Sequence, residues 1–505
     1  MELELNRTHL TGYETVLDTT VFQEETLETI VPDACPDILR LVDTQGKVLL
    51  KSKAASDGRV TLTGTARMSV LYLPDGEAGP CRLEVSIPFS ISAEDKRVKA
   101  GCLVTVVPRV SGADTRTVNP RKIVTRVEIA ACVKVFSAGG ATLCTGISAV
   151  DGTVEQLMES HQPTCISALQ EKQVSFEDDL NIPAGRPAAE ELINGRVELA
   201  CHESKIIGNK LIFKGEAAVQ LLYRPAGGGL DAADFTLPFS QITEVVGVGE
   251  DGNCTVELCL SGADFTLGGD GRTVSVSLSM LAQAIVREER SVELLADTYS
   301  TCCPVQAERA SYDYQVRQAE DIGRQMVREV IETGIQIKSV VDAYCTVGRT
   351  RQSREGGELR LTAEMGVTAV CMTEDAGYCA VSRRLEVSCM VGVPEECACL
   401  FSCQCGNLIA TPTADGVEVR FPVDFPYLCL RDASAAVVRD VSIEEAENGE
   451  EDRRPSIVLR VLDEGERLWD VAKRYRTTTG DIVRANELES EQPCGGTLLL
   501  IPRKR

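Results

Sequence analysis

A chain of 505 residues with 43% hydrophobic side chains has room for three or four separate cores and is too apolar to be disordered. Its formal charge of −24 argues against nucleic acid and anionic membranes, because phosphate groups call for clustered Lys and Arg. Aromatics are only 4%, so the cores are expected to be filled by Val, Leu, Ile, Ala and Cys.

The first residues, Met1-Glu2-Leu3-Glu4-Leu5-Asn6-Arg7, show neither the basic nor the apolar region of a secretory signal. No run of about 18 apolar residues is present, so no membrane span is expected. The 21 cysteines, an odd number, then read as free thiols of a reducing cytosol that serve as small core residues.

The chain repeats itself. Val31-Pro32 and Pro36 correspond to Ile182-Pro183 and Pro187, and Gly46-Lys47-Val48 is matched to Gly195-Arg196-Val197. Gly64 followed by Leu71-Tyr72-Leu73-Pro74 returns as Gly215 followed by Leu222-Tyr223-Arg224-Pro225. Ile87-Pro88-Phe89-Ser90 answers to Leu237-Pro238-Phe239-Ser240, and Ser111-Gly112-Ala113-Asp114 recurs unchanged at Ser261-Gly262-Ala263-Asp264. A worn third copy keeps Leu359-Arg360-Leu361-Thr362-Ala363 and Val370-Cys371 at the same spacing but lacks the Pro-x-x-x-Pro element. A chain that copies one unit along its length is built to present surfaces more often than to house one active site.

Val60–Tyr72 and Leu211–Tyr223 are rich in β-branched residues with partial period-two alternation, and Arg121–Ala130 and Arg272–Leu278 read as further strands. Asp57-Gly58, Asp75-Gly76, Gly208-Asn209 and Asp415-Gly416 supply turns between antiparallel neighbours. Each copy is expected to form two small antiparallel sheets packed as a sandwich. Short helices are expected at Pro36–Leu41 and Pro187–Ile193, where a proline opens an apolar-periodic stretch. A longer helix is expected over Gln318–Glu332, with Ile322, Met326, Val327 and Val330 on one stripe.

Cys397, Cys399, Phe401, Cys403 and Cys405 alternate strictly. On one strand the outer two lie about 26 Å apart at roughly 3.3 Å per residue, too far for a shared tetrahedral zinc. Core packing is the favoured reading, with a metal site or covalent cross-linking left open if a bulge folds the run. The three histidines, His9, His161 and His202, stand in no catalytic pattern: Cys201-His202-Glu203 lies in an expected strand, where neighbours point to opposite faces. No Gly-rich loop ending in Lys-Ser or Lys-Thr is present, so no nucleotide site is expected. Catalytic residues, metals and cofactors are therefore all assigned as none.

The charged stretch 444–455 reads as a linker. Beyond it Ile457–Leu462 reads as a strand, and Leu468, Val471, Ala472 and Tyr475 as one face of a helix. A short helix over Asp481–Asn486 and a strand over Thr497–Pro502 complete a βααβ unit. The domains are thus expected at 1–160, 161–310 and 311–443, with the linker at 444–455 and the tail at 456–505: a mainly β chain of tandem sandwich-like repeats ending in a small βααβ domain.

Gly465-Glu466-Arg467-Leu468-Trp469 through Tyr475, with Asp481-Ile482, Arg484–Leu488 and Gly496-x-Leu498-x-Leu500-Ile501-Pro502, resembles the LysM family. That resemblance implies binding of N-acetylglucosamine chains through the loop before the first helix and the loop after the second, here Gly465, Glu466, Arg467 and Asn486. The family's usual Gly-Asp-Thr or Gly-Asp-Ser has become Gly465-Glu466-Arg467, which removes short polar groups and adds a long cation. A sugar amide left unpaired costs about 1–3 kcal/mol, so the module is expected to have turned to protein binding. Core packing is the favoured reading of Trp469, yet an exposed edge would make it an interface anchor; Arg467 and Trp469 therefore lead the candidates for partner contact, followed by Leu462, Tyr475 and Asn486.

The body, at Val31–Ile38 and at Gly58-Arg59-Val60 leading into Leu71-Tyr72, resembles the SPOCS domain of spore-forming Firmicutes. SPOCS repeats with one LysM tail imply a non-enzymatic spore coat morphogenetic scaffold. Such a scaffold is made in the mother-cell cytoplasm and placed on the forespore surface when its tail binds SpoIVA, the ATPase of the coat's basement layer. Other spore coat proteins are the expected partners of the repeats. The alternative is a peptidoglycan-binding cell-wall protein.

Overall fold

The computed structural model describes residues 3–76, 79–149, 153–375, 377–394, 396–443, 457–490 and 494–502; the expected linker 444–455 lies outside them. The first strand pattern runs β1 (Leu3–Ile30), β2 (Ile38–Ser56), β3 (Arg59–Pro74), β4 (Cys81–Glu94), β5 (Leu103–Asn119) and β6 (Lys122–Ala149). The second runs β7 (Val154–His161), β8 (Thr164–Asn181), β9 (Ala189–Ile207), β10 (Lys210–Pro225), β11 (Asp231–Glu244), β12 (Asn253–Leu267), β13 (Thr273–Glu289) and β14 (Val292–Ser300). The third runs β15 (Val305–Glu332), β16 (Ile337–Glu355), β17 (Glu358–Thr373), β18 (Tyr378–Val391), β19 (Cys397–Phe401), β20 (Gln404–Cys405), β21 (Ile409–Thr413) and β22 (Gly416–Ile443). The tail contributes β23 (Ile457–Val461), α1 (Leu468–Tyr475), α2 (Thr479–Ala485) and β24 (Leu498–Pro502).

Each pattern sets a three-stranded antiparallel sheet (β2-β3-β4, β9-β10-β11, β16-β17-β18) against a pair of long strands. Those long strands are β1 with β6, and β15 with β22, all 28 residues in length. In the second pattern the long strand breaks at Pro163, which has no N–H to give the ladder, leaving β7 paired with β14 and β8 with β13. A single pairing, Tyr13 with Ile166, joins the first two patterns into one six-stranded sheet. Inside the first pattern Val60, Leu62, Ala66 and Met68 on β3 share one core with Val104 and Val106 on β5 and Ile123, Val127 and Ile129 on β6. The expected packing of two sheets face to face is therefore what forms.

The repeated tetrapeptides mark β-bulges. The register shifts between Val110 and Gly112 on β5 and between Leu260 and Gly262 on β12. In the second copy the bulge meets the first: Arg67 donates to the Ala263 carbonyl at 3.0 Å and to Asp264 at 2.7 Å. Gly64 and Gly215 stand opposite Phe89 and Phe239, and a Cβ at either would lie within 2.7 Å of the phenyl ring. The third copy solves the same crowding differently, pairing Ala363 with Val387. One apparent match does not hold. Lys47 pairs with Arg67, and the residue at that place in the second copy is Glu198, paired with Ala218, so Gly195-Arg196-Val197 is offset from Gly46-Lys47-Val48 by two residues.

The three expected helices in the body are strands. Ile38 onward belongs to β2 and Ala189 onward to β9, because Pro36 and Pro187 close turns in which Cys35 N–H donates to Pro32 O and Arg186 N–H to Pro183 O, each at 2.9 Å. Gln318–Glu332 lies in β15, bonded to β22 along its length. Ile322 and Met326, the intended apolar stripe, face solvent there. Long-range pairing has overridden a local helical period.

Equivalent residues of the three patterns converge. Leu71, Leu222 and Val370, which hold the same register place in β3, β10 and β17, form one cluster with Val42, Ile193 and Val341. Leu143, Leu294 and Val437, with Cys144, Leu295 and Val438, form a second. The body is thus arranged about an approximate threefold axis with an apolar plug at each of two levels.

Candidate functional site

The tail folds as its sequence predicts. β23 pairs with β24 antiparallel, Ile457 opposite Pro502 and Val461 opposite Leu498. Thr478 caps α2, its Oγ1 accepting from the Asp481 N–H at 3.0 Å. Arg467 occupies the N-cap of α1, where it offers no oxygen to the first turn; its guanidinium reaches Asp470 at 3.1 and 3.3 Å. Val471, Ala472, Ile482, Leu499 and Ile501 are fully buried between the helices and the sheet.

The expected contact residues divide sharply. Arg467 is exposed, and its guanidinium is held in the charged form first by the Asp470 hydrogen bond. Gly465 is exposed in a turn at φ 79°. Glu466 is half-buried and pairs with Arg460 at 2.8 Å. Tyr475 is half-buried, with Arg460 5.9 Å from its ring centre. Asn486 is a structural tie: its Nδ2 donates to Ile482 O at 2.8 Å and Leu500 O at 2.7 Å, and its Oδ1 accepts from Leu500 N–H at 2.7 Å. Leu462 is buried in the tail core.

Trp469 takes the packing reading and not the exposed edge. It is only 8% exposed because it is buried against the body, not held out for a partner. Its indole N–H donates to Asp297 at 2.8 Å, and its ring meets Tyr299 edge-on at 4.8 Å and 68°. Lys473 reaches the same carboxylate at 2.7 Å and Arg309 at 2.5 Å, while Tyr299 OH donates to Thr477 O at 2.7 Å. Burial alone would raise the Asp297 carboxyl, but Lys473, Trp469 and Arg309 together hold it below its ordinary range. Burial pushes the Tyr299 hydroxyl well up.

Sequence reasoning placed β23 and β24 but missed what they expose. Ile457 (58%), Leu459 (65%), Val461 (52%) and Leu498 (61%) lie open to solvent. The signal was present: apolar residues stand at every position of Ile457–Leu462 except Arg460, so both faces of the strand are apolar, while two short helices can cover only one of them. Isolated exposed apolar residues are ordinary; a cluster on one small sheet marks an interaction surface.

The alternating cysteines resolve as core. Cys397 and Cys399 lie buried on β19, Cys399 opposite Cys429 of β22. The strand breaks before β20, and Cys403 lies 3.9 Å from the Met365 sulfur. Burial pushes the Cys403 thiol up to about 12 and that of Cys399 higher still. Among the described residues no three His, Cys, Asp or Glu side chains group as metal ligands. His161 Nδ1 lies 2.9 Å from Tyr314 OH, His9 Nδ1 3.1 Å from Thr142 Oγ1, and His202 is exposed beside Glu216 at 3.4 Å.

A second polar site, invisible in the sequence, sits beside the first apolar plug. Asp43 and Asp342 hold equivalent places in the first and third patterns, as do Gln45, Arg196 and Tyr344 across all three. Gln45 Nε2 donates to Asp43 at 2.9 Å and Asp342 at 2.8 Å; Asn194 donates to Gln45 Oε1 at 2.9 Å. Arg196 donates to Asp342 at 3.1 Å and to Ala343 O at 3.0 Å, and Tyr344 OH donates to Asp43 at 3.0 Å. Two carboxylates share the Gln45 amide there, and only Asp342 also has the Arg196 guanidinium. Burial raises the Asp43 carboxyl, against the hydrogen bonds from Gln45 and Tyr344 and with a further push from Asp342.

Residues 37–118 and 188–267 match the family described as SipL, SPOCS domain. The two segments cover the same stretch of the first and second patterns, from the start of the three-stranded sheet to the strand carrying Ser-Gly-Ala-Asp. No curated protein matches the chain. No solved structure matches it.

Proposed function

We propose that the protein is a non-enzymatic scaffold of the developing spore coat, divided at 1–160, 161–310 and 311–443 into SPOCS-like repeats and ending at 456–505 in a LysM-like docking module. The observation that carries this reading is the paired SPOCS match on a body whose polar side chains tie the three patterns to one another. A fixed three-part β body suits simultaneous contact with several coat proteins. It follows that the chain works in the mother-cell cytoplasm and assembles on the forespore surface.

The tail docks the body to a protein, and the partner implied by its LysM-like sequence is a SpoIVA-like ATPase of the basement layer. Support comes from the uncovered apolar face of Ile457, Leu459, Val461 and Leu498, which suits protein burial better than a polar sugar chain. The occupied side chains of Glu466 and Asn486 point the same way, since hydrogen bonds within the chain already use the groups a glycan would need. A fluorescent fusion of the full chain in sporulating cells tests the reading: a rim around the forespore supports it, and label spread over the mother-cell wall overturns it.

A further inference from the structure

The three patterns line an open-mouthed cleft of about 770 Å³ next to the axial network, within the range of small-molecule sites, about 300–1,000 Å³. All three contribute to its wall, with Lys47 from β2, Arg109 from β5, Arg196 from β9, and Arg349 and Arg384 from the third pattern. Basic side chains outnumber acidic ones in this lining, the reverse of a chain whose formal charge is −24. Such a local inversion of sign concentrates anions.

Arg67, Arg126, Arg196 and Arg383 of this lining are ion-paired, but among the described residues Lys47, Arg109, Arg349 and Arg384 are not. Lys47 Nζ makes one hydrogen bond, to Gly195 O at 2.8 Å, and lies 4.9 Å from the Phe265 ring centre; among the described residues no carboxylate closes an ion pair with it. An ammonium has three N–H donors, so two remain to be satisfied in a largely buried place. Burial, and then the nearby Arg67, lower its pKa to about 8 despite the opposite pull of Glu84 and Asp264. Arg109 gives its guanidinium to the carbonyls of Val347 at 2.9 Å and Gly348 at 3.1 Å and to the Cys132 sulfur, not to an acid. Arg349 stacks on Phe22 at 4.6 Å, and the Arg384 guanidinium, on a strand residue opposite Gly366, closes no ion pair among the described residues.

We propose that this cleft binds a small multivalent anion, phosphorylated or polycarboxylate, held by Lys47 and Arg109 within and by Arg349 and Arg384 at the exposed rim. Guanidinium groups offer paired donors that fit either oxyanion, and the lysine adds a point charge. The anion would supply the counter-charge that these four side chains lack and would fasten the first pattern to the third.

Calorimetric titration of the full chain with tripolyphosphate and with citrate tests this. One site per chain is expected for at least one probe, with affinity falling as salt rises. Lys47→Gln keeps a donor for Gly195 O and is expected to weaken binding about tenfold. Arg384→Gln, an exposed change that leaves folding intact, is expected to weaken it several-fold, while the distant Arg59→Gln has no effect. Binding of tripolyphosphate alone identifies a phosphorylated ligand, and of citrate alone a polycarboxylate. No binding of either probe, or binding indifferent to both Lys47→Gln and Arg384→Gln, overturns the proposal.

Discussion

The indole N–H of Trp469 donates to Asp297 at 2.8 Å across 172 residues of sequence, and this bond seats the tail on the body. Asp297 also takes Lys473 and Arg309, so one carboxylate joins β14, β15 and α1. Removing it strands two cations and an indole donor. Because Trp469 is the chain's single tryptophan, its emission reports this contact alone. Asp297→Ala is expected to red-shift that emission and to cost about 2–3 kcal/mol of stability. An unshifted spectrum would contradict the seat.

Asp297 is held below its ordinary range, so the stability it supplies is present at neutral pH and is lost only as pH falls through that lowered value. The blue-shifted Trp469 emission is accordingly expected to persist below about pH 3.9, the usual Asp midpoint. A transition at or above that pH would contradict the ion-pair account.

Asp43 behaves in the opposite sense. Its carboxyl is raised by burial, so its favourable contribution is complete only in acid and is lost as pH rises through the raised value. Asp43→Asn is therefore expected to match or exceed the parent in denaturant stability at about pH 7, an advantage that vanishes near pH 4. Asp342→Asn breaks the pair with Arg196 and is expected to cost about 3 kcal/mol. Equal effects of the two substitutions would contradict an arrangement in which Asp342 alone is paired with Arg196.

Gly64 and Phe89 form a matched pair. A Cβ at Gly64 would stand 2.4 Å from Leu49 O and 2.5 Å from the Phe89 ring. Gly64→Ala is expected to cost about 1–3 kcal/mol through overpacking. Adding Phe89→Val, the third copy's solution, relieves the ring contact but not the carbonyl contact, so thermal melting should show partial recovery. No recovery at all would mean that the backbone clash dominates.

Thiol reactivity should follow burial and hydrogen bonding. Cys302 is exposed, and hydrogen bonds led by Ser300 lower its pKa. Burial pushes Cys254, Cys259 and Cys371 up to about 12. Limited alkylation of the native chain followed by peptide mass spectrometry is expected to mark Cys302 early and those three last.

The strands and the tail were legible because each is encoded locally: β-branched runs between turn residues in one case, the spacing Leu468, Val471, Ala472, Tyr475 in the other. The repeat was legible where tight contacts demand particular residues, such as Gly64 beside Phe89. It faded in the third copy, where Ala363 and Val387 meet the same need with other side chains. The helix expected over Gln318–Glu332 failed because its fate was set by β22, about a hundred residues downstream by strand pairing. Asp43, Gln45, Arg196 and Tyr344 lie far apart in the chain and carry no local pattern, so only the axis brings them together. The same holds for Asp297 under Trp469: the sequence left packing and partner contact both open for that indole, and only the fold shows that it packs on the body.

The central claim, a β scaffold whose tail grips protein and not sugar, is tested most directly by co-sedimenting the full chain with polymerised SpoIVA-like ATPase and, separately, with purified peptidoglycan. The account predicts co-sedimentation with the ATPase, abolished by the surface pair Leu459→Glu and Leu498→Glu, and none with peptidoglycan. Retention on peptidoglycan that survives this double substitution, with no binding to the ATPase, would contradict it.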